Sequence, residues 1–515
     1  MTLSESSYSE VLRPLPKGYW PDDLLGWGQS SPCPYYPRTG PPIADALALP
    51  DFSAEKRSRL QEVLTRQMTG LALTEAQQNN LMRLTESHAY TVCTGQQIHV
   101  GGGPMYVGAK LASVLHWAQK WNQEHSHLHL IPVFWMATED HDFEEIKTCH
   151  LWGKTYEIKP EGQGAVGRMS TQGLAEMVQT MMGDFPRQSK AIERFWEPML
   201  SAANWAEVFR IFLHEWGKDH GLLILDPDDA ELKSMAQPLW EAEITAGICS
   251  QAFQSQSDWL VAEGQAAPAM VRPVNAFLLS PDKRERITEL QSLDWASART
   301  AQISPNVLLR PLYQQIILPN VAYLAGPSEF RYWLQTSAAF EQMNLFAPYL
   351  MLREVWHAIP QSVSKKINKW SLQMEDFFQP DDAFAALLER EAQSFKAPWN
   401  DILTQMDSLE TEASSLLYRA QDPFLPAFKK DMQNLKKAWR QALQRESSKG
   451  LEARFGKEAA YKIFELRERC FSWKNPIERS MTCLELALEM GSSDFPLQVG
   501  EYGETLAMRT FVMEA

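Results

Sequence analysis

The fold is decided by the stretch Ala89-Tyr90-Thr91-Val92-Cys93, a β-prone run, and by the residues that follow it. The run predicts a short strand, because β-branched and aromatic residues favour extended backbone. Thr94-Gly95-Gln96-Gln97 comes next, and a glycine triplet, Gly101-Gly102-Gly103, then leads into Pro104. Since a proline at the first helical position loses no hydrogen bond, the sequence predicts that a helix begins there.

A helix and a second strand complete the pattern. After the proline, apolar residues recur at alternating spacings of four and three, as on one face of an amphipathic helix: Val107, Leu111, Val114, Ala118 and Trp121. Residues 128–137, LHLIPVFWMA, form a nearly continuous apolar run that is typical of a strand covered on both faces. Strand, turn, helix and strand make a βαβ unit, which predicts a parallel sheet with a right-handed crossover.

Weaker patterns extend the sheet along the chain. They predict strands at 222–225, 270–279, 321–325 and 349–352, and helices at 54–86, 229–253 and 328–343. The first fifty residues contain nine prolines, and this density predicts a loop. We therefore predict an α/β protein whose parallel-sheet core, with inserted connecting segments, spans residues 1–378.

The character of the chain changes near residue 380. A heptad seam runs through Trp399, Ile402, Met406, Leu409, Ala413, Leu416 and Ala420, and it resumes at Phe428, Met432, Leu435, Trp439 and Ala442. Pro423 and Pro426 separate the two halves, and Gly450 and Gly456 are expected to interrupt the second. The pattern predicts an antiparallel coiled-coil arm over residues 379–470 and a C-terminal segment, 471–515, that returns to the core. An amphipathic helix pair lying on the core explains the same spacing.

The composition is that of a globular protein with an acidic surface. The 515 residues include 49 Lys and Arg against 64 Asp and Glu, a formal net charge of −15. This charge repels phosphate backbones and anionic lipid, which argues against general nucleic-acid or membrane-surface binding. No apolar run approaches the ~20 residues that span a bilayer, and the first residues lack the order of a secretory signal. Six scattered cysteines without a C-x-x-C pair favour a reducing cytoplasm.

The glycine triplet is the first candidate binding site. Between a strand and a helix, backbone N–H groups converge on the helix N-terminus, whose partial positive charge attracts a phosphate or a carboxylate. Lys110 lies four residues after Tyr106 on the same helical face, and its side chain could reach back toward such an anion. The triplet matches neither the dinucleotide fingerprint nor the P-loop. A tight turn without a ligand therefore explains it as well.

Four ionisable residues, Glu139, Asp140, His141 and Asp142, directly follow the apolar strand. Ligands of open α/β sheets bind outside the carboxyl ends of the strands, which is where this acidic quartet is predicted to lie. Three carboxylates beside one imidazole suit general-base work on an amine, or holding a magnesium ion. A helix N-cap is the alternative, but it accounts for one carboxylate and not for all four residues.

Two later segments place polar groups among apolar neighbours. Asn306, Arg310 and Gln314 lie in the first, and Glu329 follows a predicted strand in the second. Arg310 suits a bidentate clamp on a carboxylate. A structural salt bridge between Arg310 and Glu329 explains the same two residues.

Together these motifs resemble those of the bacillithiol biosynthesis cysteine-adding enzymes, a family of cysteine ligases. The similarity spans residues 88–360 in matching order. It is carried by Thr94-Gly95-Gln96-Gln97, Gly103-Pro104-Met105-Tyr106 with Lys110, Val133-Phe134-Trp135 with Glu139-Asp140-His141-Asp142, Ser304-Pro305-Asn306 with Arg310-Pro311-Leu312-Tyr313-Gln314, Leu318-Pro319-Asn320, Gly326 with Glu329, and Tyr332-Trp333-Leu334-Gln335. The chain departs from the family pattern at His99, where a glycine is usual, and at Gly102, where a threonine is usual.

The resemblance implies a Rossmann-like core and a homodimer formed through the coiled-coil arm. It also implies the last step of bacillithiol synthesis, which joins the carboxyl group of cysteine to the amino group of glucosaminyl-malate. Because a carboxylate is a poor electrophile, ATP is expected to activate it, with magnesium as an accompanying ion and ADP as a nucleotide that the protein retains. No structural metal, nucleic acid or membrane partner is expected.

The resemblance further implies a role for each motif. Phosphates would contact the nucleotide-binding or anion-binding residues Thr94, Gly95, Gln96, Gln97, Gly102, Gly103 and Tyr106, together with Lys110. Asp140, His141 or Asp142 would accept the proton of the sugar ammonium or hold that ammonium, and Glu139 and Lys110 complete the catalytic group. Arg310 would pair with the malyl carboxylates, with Asn306, Gln314 and Glu329 as the other substrate contacts.

Two other functions fit the same residues. A non-catalytic adaptor would bind nucleotide without turnover and recruit partners through the arm. A nucleotidyltransferase acting on another amino acid would release pyrophosphate only when that amino acid is present.

Overall fold

A computed structural model of the protein describes residues 8–14, 20–29, 33–41, 47–159, 164–291, 300–370, 372–379, 383–384, 387–388, 399–419, 423–455, 457–471, 476–490 and 507–513. The chain forms two compact units. The first unit combines Met1–Ala358 with Glu478–Glu514, and the second is Ile359–Ile477 with Ala515. In the described part of the chain, no helix combines the length and the apolar character that crossing a membrane requires.

The strands are numbered in chain order. They are β1 Tyr8–Pro14, β2 Ala89–Gln97, β3 His129–Ala137, β4 Thr148–Leu151, β5 Lys154–Glu157, β6 Leu223–Leu225, β7 Ala276–Leu279, β8 Arg284–Arg286, β9 Ile303–Pro305, β10 Asn320–Ala325, β11 Tyr349–Leu352, β12 Val355–Pro360 and β13 Ala507–Met513.

The α-helices lie between and after these strands. Up to residue 358 they are Asp22–Gln29, Ala54–Gln67, Glu75–Arg83, Tyr106–Glu124, Leu174–Asp184, Ser189–Trp196, Trp205–Gly217, Ala230–Met235, Gln237–Ala246, Ile248–Ala262, Arg310–Ile317, Pro327–Leu334 and Ser337–Gln342. Beyond it they are Gln361–Lys369, Met374–Phe377, Trp399–Arg419, Leu425–Phe455, Lys457–Cys470, Ile477–Ser480 and Cys483–Glu489.

A five-stranded sheet of order β11-β10-β2-β3-β6 forms the centre of the first unit, and each neighbouring pair is parallel. The predicted βαβ unit is confirmed, since β2 and β3 pair in parallel around the helix Tyr106–Glu124. Residues 130–136 of β3 are all buried, as the apolar run predicts for a strand covered on both faces. The Rossmann-like α/β core expected from the sequence is therefore present.

Two predictions for this unit are wrong in detail. The strand expected over 270–279 begins at Ala276 and lies in an antiparallel sheet of order β8-β7-β9. Pro273 has no N–H to donate, which argues against an earlier start for this strand. The loop expected over the first fifty residues contains β1 and the helix Asp22–Gln29. Pro14 is the last residue of the strand and Pro21 precedes the helix, so both prolines lie at the ends of elements, where proline is tolerated.

The second unit contains two long helices, Trp399–Arg419 and Leu425–Phe455. The Lys436 ammonium on the second helix pairs with the carboxylates of Asp407 and Glu410 on the first. The second helix continues through Gly450, which does not interrupt it, whereas Gly456 and Ala420 lie outside the described residues. The coiled-coil arm and its bounds, 379–470, stay a prediction.

Candidate active site

A cavity of about 630 Å³ opens at the carboxyl-terminal edge of the parallel sheet. Open α/β sheets bind ligands at this edge. Ten of the site residues predicted from the sequence line it: Gly95, Gln96, Gln97, Tyr106, Lys110, Glu139, Asp140, Asn306, Arg310 and Glu329. The other six lie outside the lining: Thr94, Gly102, Gly103, His141, Asp142 and Gln314.

A buried ion pair joins Lys110 to Glu329 in the cavity wall. The Lys110 side chain is 4% exposed, and its Nζ lies 2.5 Å from Glu329 Oε2. The same ammonium donates to the Gly95 carbonyl oxygen at 2.6 Å and to Gln96 Oε1 at 2.9 Å. All three donors of the ammonium are therefore used. A contact from Lys110 to a phosphate stays a prediction, and it requires the ammonium to give up one of these partners.

Aromatic side chains surround Glu329. Tyr323 Oη donates to Glu329 Oε1 at 2.6 Å, and Tyr332 Oη donates to the same oxygen at 3.2 Å. Burial alone would raise the pKa of Glu329, but the charges of Lys110 and Arg310 and the hydrogen bonds from Lys110 and Tyr323 outweigh burial and lower it. Glu329 is therefore a carboxylate at neutral pH.

Arg310 lies within an aromatic cluster rather than in a salt bridge with Glu329. Its guanidinium carbon lies 5.0 Å from the ring centre of Tyr323, and the rings of Trp333 and Trp135 follow at 5.7 and 5.8 Å. Nη1 donates to Gln314 Oε1 at 2.9 Å, so the buried Gln314 amide orients the guanidinium from behind the lining. Among the described residues, the buried Nη2 of Arg310 has no hydrogen-bond partner, although the Arg310 side chain lines the cavity.

Glu139 belongs to a buried charge network at the end of β3. Its carboxylate lies 2.8 Å from the Lys233 ammonium, which also lies 2.6 Å from Asp228. Burial raises the pKa of Glu139, and the nearby Asp228 adds to this effect, although the Lys233 charge opposes it. Glu139 is thus a lining carboxyl whose proton affinity is shifted toward neutral pH.

Asp140 is the neighbouring lining carboxylate, and its pKa moves in the opposite direction. Gln97 Nε2 donates to its Oδ2 at 2.6 Å, and the backbone N–H of His141 donates to Oδ1 at 2.7 Å. Burial alone would raise its pKa, but these hydrogen bonds and the Arg284 charge outweigh it and lower the pKa. Adjacent residues of the acidic quartet therefore differ in proton affinity.

The other two members of the quartet, His141 and Asp142, do not line the cavity. The His141 side chain is 50% exposed, with Nδ1 3.2 Å from Arg284 Nη1, and Asp142 is exposed. Asn306 lines the cavity and accepts the backbone N–H groups of Leu308 and Leu309, each at 3.0 Å, just before the helix Arg310–Ile317. Catalytic roles for His141 and Asp142 stay predictions.

The glycine turn packs into the protein interior. All three glycines have positive φ, and a Cβ on Gly102 would lie 2.3 Å from the Phe212 ring. A Cβ on Gly103 would lie 3.0 Å from the His99 side chain. Thr94 is also buried, and its hydroxyl donates to the Leu324 carbonyl oxygen at 2.8 Å. Tight packing accounts for these glycines, and anion binding by Gly102 and Gly103 stays a prediction.

The buried His99 side chain, which packs against this turn, makes the stability of the folded protein depend on pH. Burial lowers its pKa to about 4, and the Lys110 charge contributes. An unfolded histidine titrates near pH ~6.5, so the unfolded state binds more protons between pH ~6.5 and ~4, and stability falls as the pH falls through this window. We expect about 2 to 3 kcal/mol of unfolding free energy to be lost between pH ~7 and ~4.5 through His99.

Urea denaturation at the two pH values measures this loss. His99→Gln should reduce the pH dependence, whereas the matched replacement of the exposed His127 by Gln should leave it as in the unmodified protein. Identical pH dependence in both variants would contradict the assignment to His99.

Five arginines in the lining were missed by sequence reasoning: Arg272, Arg284, Arg286, Arg353 and Arg479. Arg284 and Arg286 are two apart in β8, and this spacing places both on one face of a strand. That spacing was the one available signal, but nothing in the sequence says which face meets the cavity. Arg353 and Arg479 come together only in the folded chain, where Arg353 forms an ion pair with Glu478.

The charges of the lining do not balance. Its cationic side chains are Lys110, Arg272, Arg284, Arg286, Arg310, Arg353 and Arg479, and its carboxylates are Glu139, Asp140 and Glu329. Each carboxylate already has a cationic neighbour in Lys233, Arg284 or Lys110, and of the lining cations Arg353 is paired with Glu478 outside the lining. A cavity with excess positive charge, in a protein of net charge −15, favours anionic ligands. Within the described residues, no cluster of three or more His, Cys, Asp or Glu side chains is arranged to hold a metal ion.

Comparisons with known proteins agree on one family. A family model described as "Bacillithiol biosynthesis BshC, N-terminal Rossmann-like domain" matches residues 45–354, more than half of the chain. A protein of Flavobacterium johnsoniae named "Putative cysteine ligase BshC" is 27% identical over 476 residues, which cover 87% of each chain. A protein of Cytophaga hutchinsonii with the same name is 29% identical over 394 residues, 71% of this chain and 74% of its own.

A solved structure, that of Plasmodium falciparum tryptophanyl-tRNA synthetase, matches 81% of this chain and 94% of its own at 9% identity. The TM-score of 0.21 is too low to support an argument about fold or function.

Proposed function

The chain belongs to the BshC family of bacillithiol biosynthesis, and from this premise we propose that it is a ligase that adds cysteine to the amino group of glucosaminyl-malate. The reaction forms an amide between the cysteine carboxyl group and the sugar amine, with ATP-dependent activation of the carboxyl group. The observation that carries the proposal is the cationic cavity in which Glu139 and Asp140 differ in proton affinity.

The charge of the cavity fits the proposed substrates. Glucosaminyl-malate carries two carboxylates, cysteine carries one, and ATP carries a triphosphate, so each brings negative charge to the excess of lining cations. ATP supplies the activation that turns a carboxylate into an electrophile. Lining cations, Arg310 among them, would hold its phosphates or the substrate carboxylates.

The carboxyl groups of Glu139 and Asp140 suit two different roles toward the attacking amine. The attacking amine enters as an ammonium and must lose a proton before it can form the amide bond. Glu139, whose pKa is raised by burial, suits the acceptor of this proton, because a raised pKa makes a carboxylate a stronger base. Asp140, with its lowered pKa, stays anionic and suits a role in holding the ammonium in place.

A product assay tests the proposal. Purified protein is incubated with ATP, cysteine and glucosaminyl-malate, and mass spectrometry should detect the cysteinyl amide only when all three are present. Nucleotide binding without product would favour the adaptor alternative. Pyrophosphate release with an amino acid other than cysteine would favour the nucleotidyltransferase alternative. Alanine and serine in place of cysteine are the matched substrate controls.

We propose a cytoplasmic location from the state of the cysteines. All six are free thiols, and five of them are buried. Free thiols persist in a reducing compartment, and the proposed substrate is itself a thiol.

We also propose that the protein is a homodimer that uses the arm. In the helix Trp399–Arg419 the seam residues Met406 and Ala413 are half-buried, whereas Leu409 and Leu416 are 61% and 60% exposed. Exposed leucines at heptad spacing favour a helical partner, and the family resemblance implies that this partner is a second copy.

Replacing Leu416 with Glu should weaken dimerisation at least about tenfold, because a buried leucine contributes ~1.5–3 kcal/mol. Ser415→Glu introduces the same charge at the neighbouring exposed position and should leave the dimer intact. Sedimentation velocity over a concentration series measures both. Equal dimerisation of the two variants, or an unmodified protein that is monomeric throughout, would contradict the proposal.

A further inference from the structure

The inserted antiparallel sheet brings three arginines to the cavity. Arg284 and Arg286 lie on β8, and Arg272 lies shortly before β7. All three line the cavity, as does Phe277 on β7, which pairs with Arg286 in the sheet. This wall is distinct from the pair Lys110–Glu329, which is built on the parallel-sheet core.

Arg284 and Phe277 form a rigid base for this wall. The Arg284 side chain is 9% exposed, and it donates to Ser304 Oγ at 3.2 Å and to the Pro305 carbonyl oxygen at 2.9 Å. Its guanidinium carbon lies 3.9 Å from the centre of the Phe277 ring, and that of Arg286 lies 4.4 Å from the same centre. One ring therefore orients two guanidinium groups.

Arg286 and Arg272 carry charge that the described protein does not neutralise. Both are exposed, and neither forms an ion pair with a described carboxylate. Burial lowers the pKa of Arg286, and the positive charge of the nearby Arg272 lowers it further. Two neighbouring cations without a counter-ion repel each other, and an anion bound between them would remove the repulsion.

We propose that Arg272 and Arg286 form a subsite for a multiply charged anionic group, with Arg284 and Phe277 as its base. The chemical class is a dicarboxylate or an oligophosphate, and both classes satisfy planar guanidinium donors in the same bidentate manner. The assignment to a particular substrate rests on the proposed function. The malyl group is the dicarboxylate of that reaction, and the ATP phosphates are its oligophosphate.

The subsite is tested by direct binding, without turnover. Isothermal titration calorimetry at low ionic strength measures malate and inorganic pyrophosphate as separate probes of the full chain. Arg286→Ala and Arg272→Ala should each weaken binding of one probe about tenfold, the effect of losing a charge-assisted hydrogen bond. Lys283→Ala, a surface change beside β8 that removes the same charge, should alter binding less than twofold, since Lys283 lies outside the lining and is 61% exposed.

The outcomes separate the possibilities. Weaker pyrophosphate binding with unchanged malate binding assigns the subsite to phosphates, and the reverse assigns it to the malyl group. Variants that bind both probes as Lys283→Ala does would overturn the subsite, as would an unmodified protein that binds neither probe. Arginine-dependent binding in a protein that makes no amide product would leave the subsite standing and remove the proposed function. If the protein makes the amide product but the arginine variants bind both probes normally, the proposed function stands and the subsite is removed.

Discussion

Replacing Glu139 with Gln is expected to lower the rate of cysteine addition by about 10²- to 10⁴-fold, the usual contribution of a positioned general base. Gln keeps the size of the side chain but cannot accept a proton. The substitution leaves Lys233 its second partner, Asp228, at 2.6 Å, so the buried network keeps a counter-ion and the fold should persist. Steady-state product formation, measured by mass spectrometry, gives the change in kcat.

A matched control and a pH profile separate catalysis from structure. Glu144→Gln makes the same chemical change five residues away, on a side chain that is 73% exposed and outside the cavity lining, and its kcat should be unchanged. The rate of the unmodified protein should fall at low pH as Glu139 becomes protonated, and this fall should disappear in Glu139→Gln. A kcat close to that of the unmodified enzyme would remove Glu139 from the proposed role.

Replacing Arg353 with Met is expected to lower the free energy of unfolding by about 3 to 5 kcal/mol. Arg353 and Glu478 are each 3% exposed and form two hydrogen bonds, at 2.9 and 2.8 Å. Removing the guanidinium leaves the Glu478 carboxylate buried without its counter-ion, which costs far more than the pair itself contributes. Urea denaturation followed by tryptophan fluorescence measures the loss.

An exposed pair provides the comparison. Arg59→Gln breaks the ion pair with Glu55, whose members are 48% and 74% exposed, and the expected loss is at most about 0.5 kcal/mol. The double variant Arg353→Met with Glu478→Met should recover part of the stability, because no buried charge remains unpaired. A loss in Arg353→Met no larger than in Arg59→Gln would show that the buried pair does not govern stability.

The central βαβ unit was predictable because its signals are local. The strand β3 is a continuous apolar run, and Pro104 and the amphipathic spacing mark the helix before it. The positions of Gln97 and Glu139 at one edge follow from the parallel pairing of β2 and β3, which the crossover requires. For these residues, sequence order alone determines where the side chains meet.

The pairing of Lys110 with Glu329 could not be predicted in the same way. Each residue was predicted as a site residue, but 219 positions separate them, and their contact depends on β10 lying beside β2. For Arg310, a structural salt bridge with Glu329 and a clamp on a substrate carboxylate had equal support in the sequence. In the folded protein the Arg310 guanidinium lies among three aromatic rings and forms no salt bridge with Glu329. Those rings come from separate elements of the fold.

The part of the cavity wall formed by Arg272, Arg284 and Arg286 was not predicted, for a related reason. Arg284 and Arg286 occur in a segment that reads as a charged surface, and only the pairing of β8 with β7 turns them toward the cavity. The glycine triplet is the reverse case, because a turn between a strand and a helix was predicted from the sequence while the surroundings of that turn were not. Phe212, more than one hundred residues away, occupies the space beside Gly102.

The pairing of β1 with β13 limits how much of this protein can fold during its synthesis on the ribosome. Tyr8 lies opposite Met513, so β1 has no β13 partner until about 500 further residues have been synthesised. At ~5–20 residues per second, the wait lasts roughly 25 to 100 seconds. During that interval the parallel sheet can already assemble from residues 89–352, while β1 presents an open edge to other nascent chains. Slower elongation would lengthen this exposure and raise the demand for chaperones.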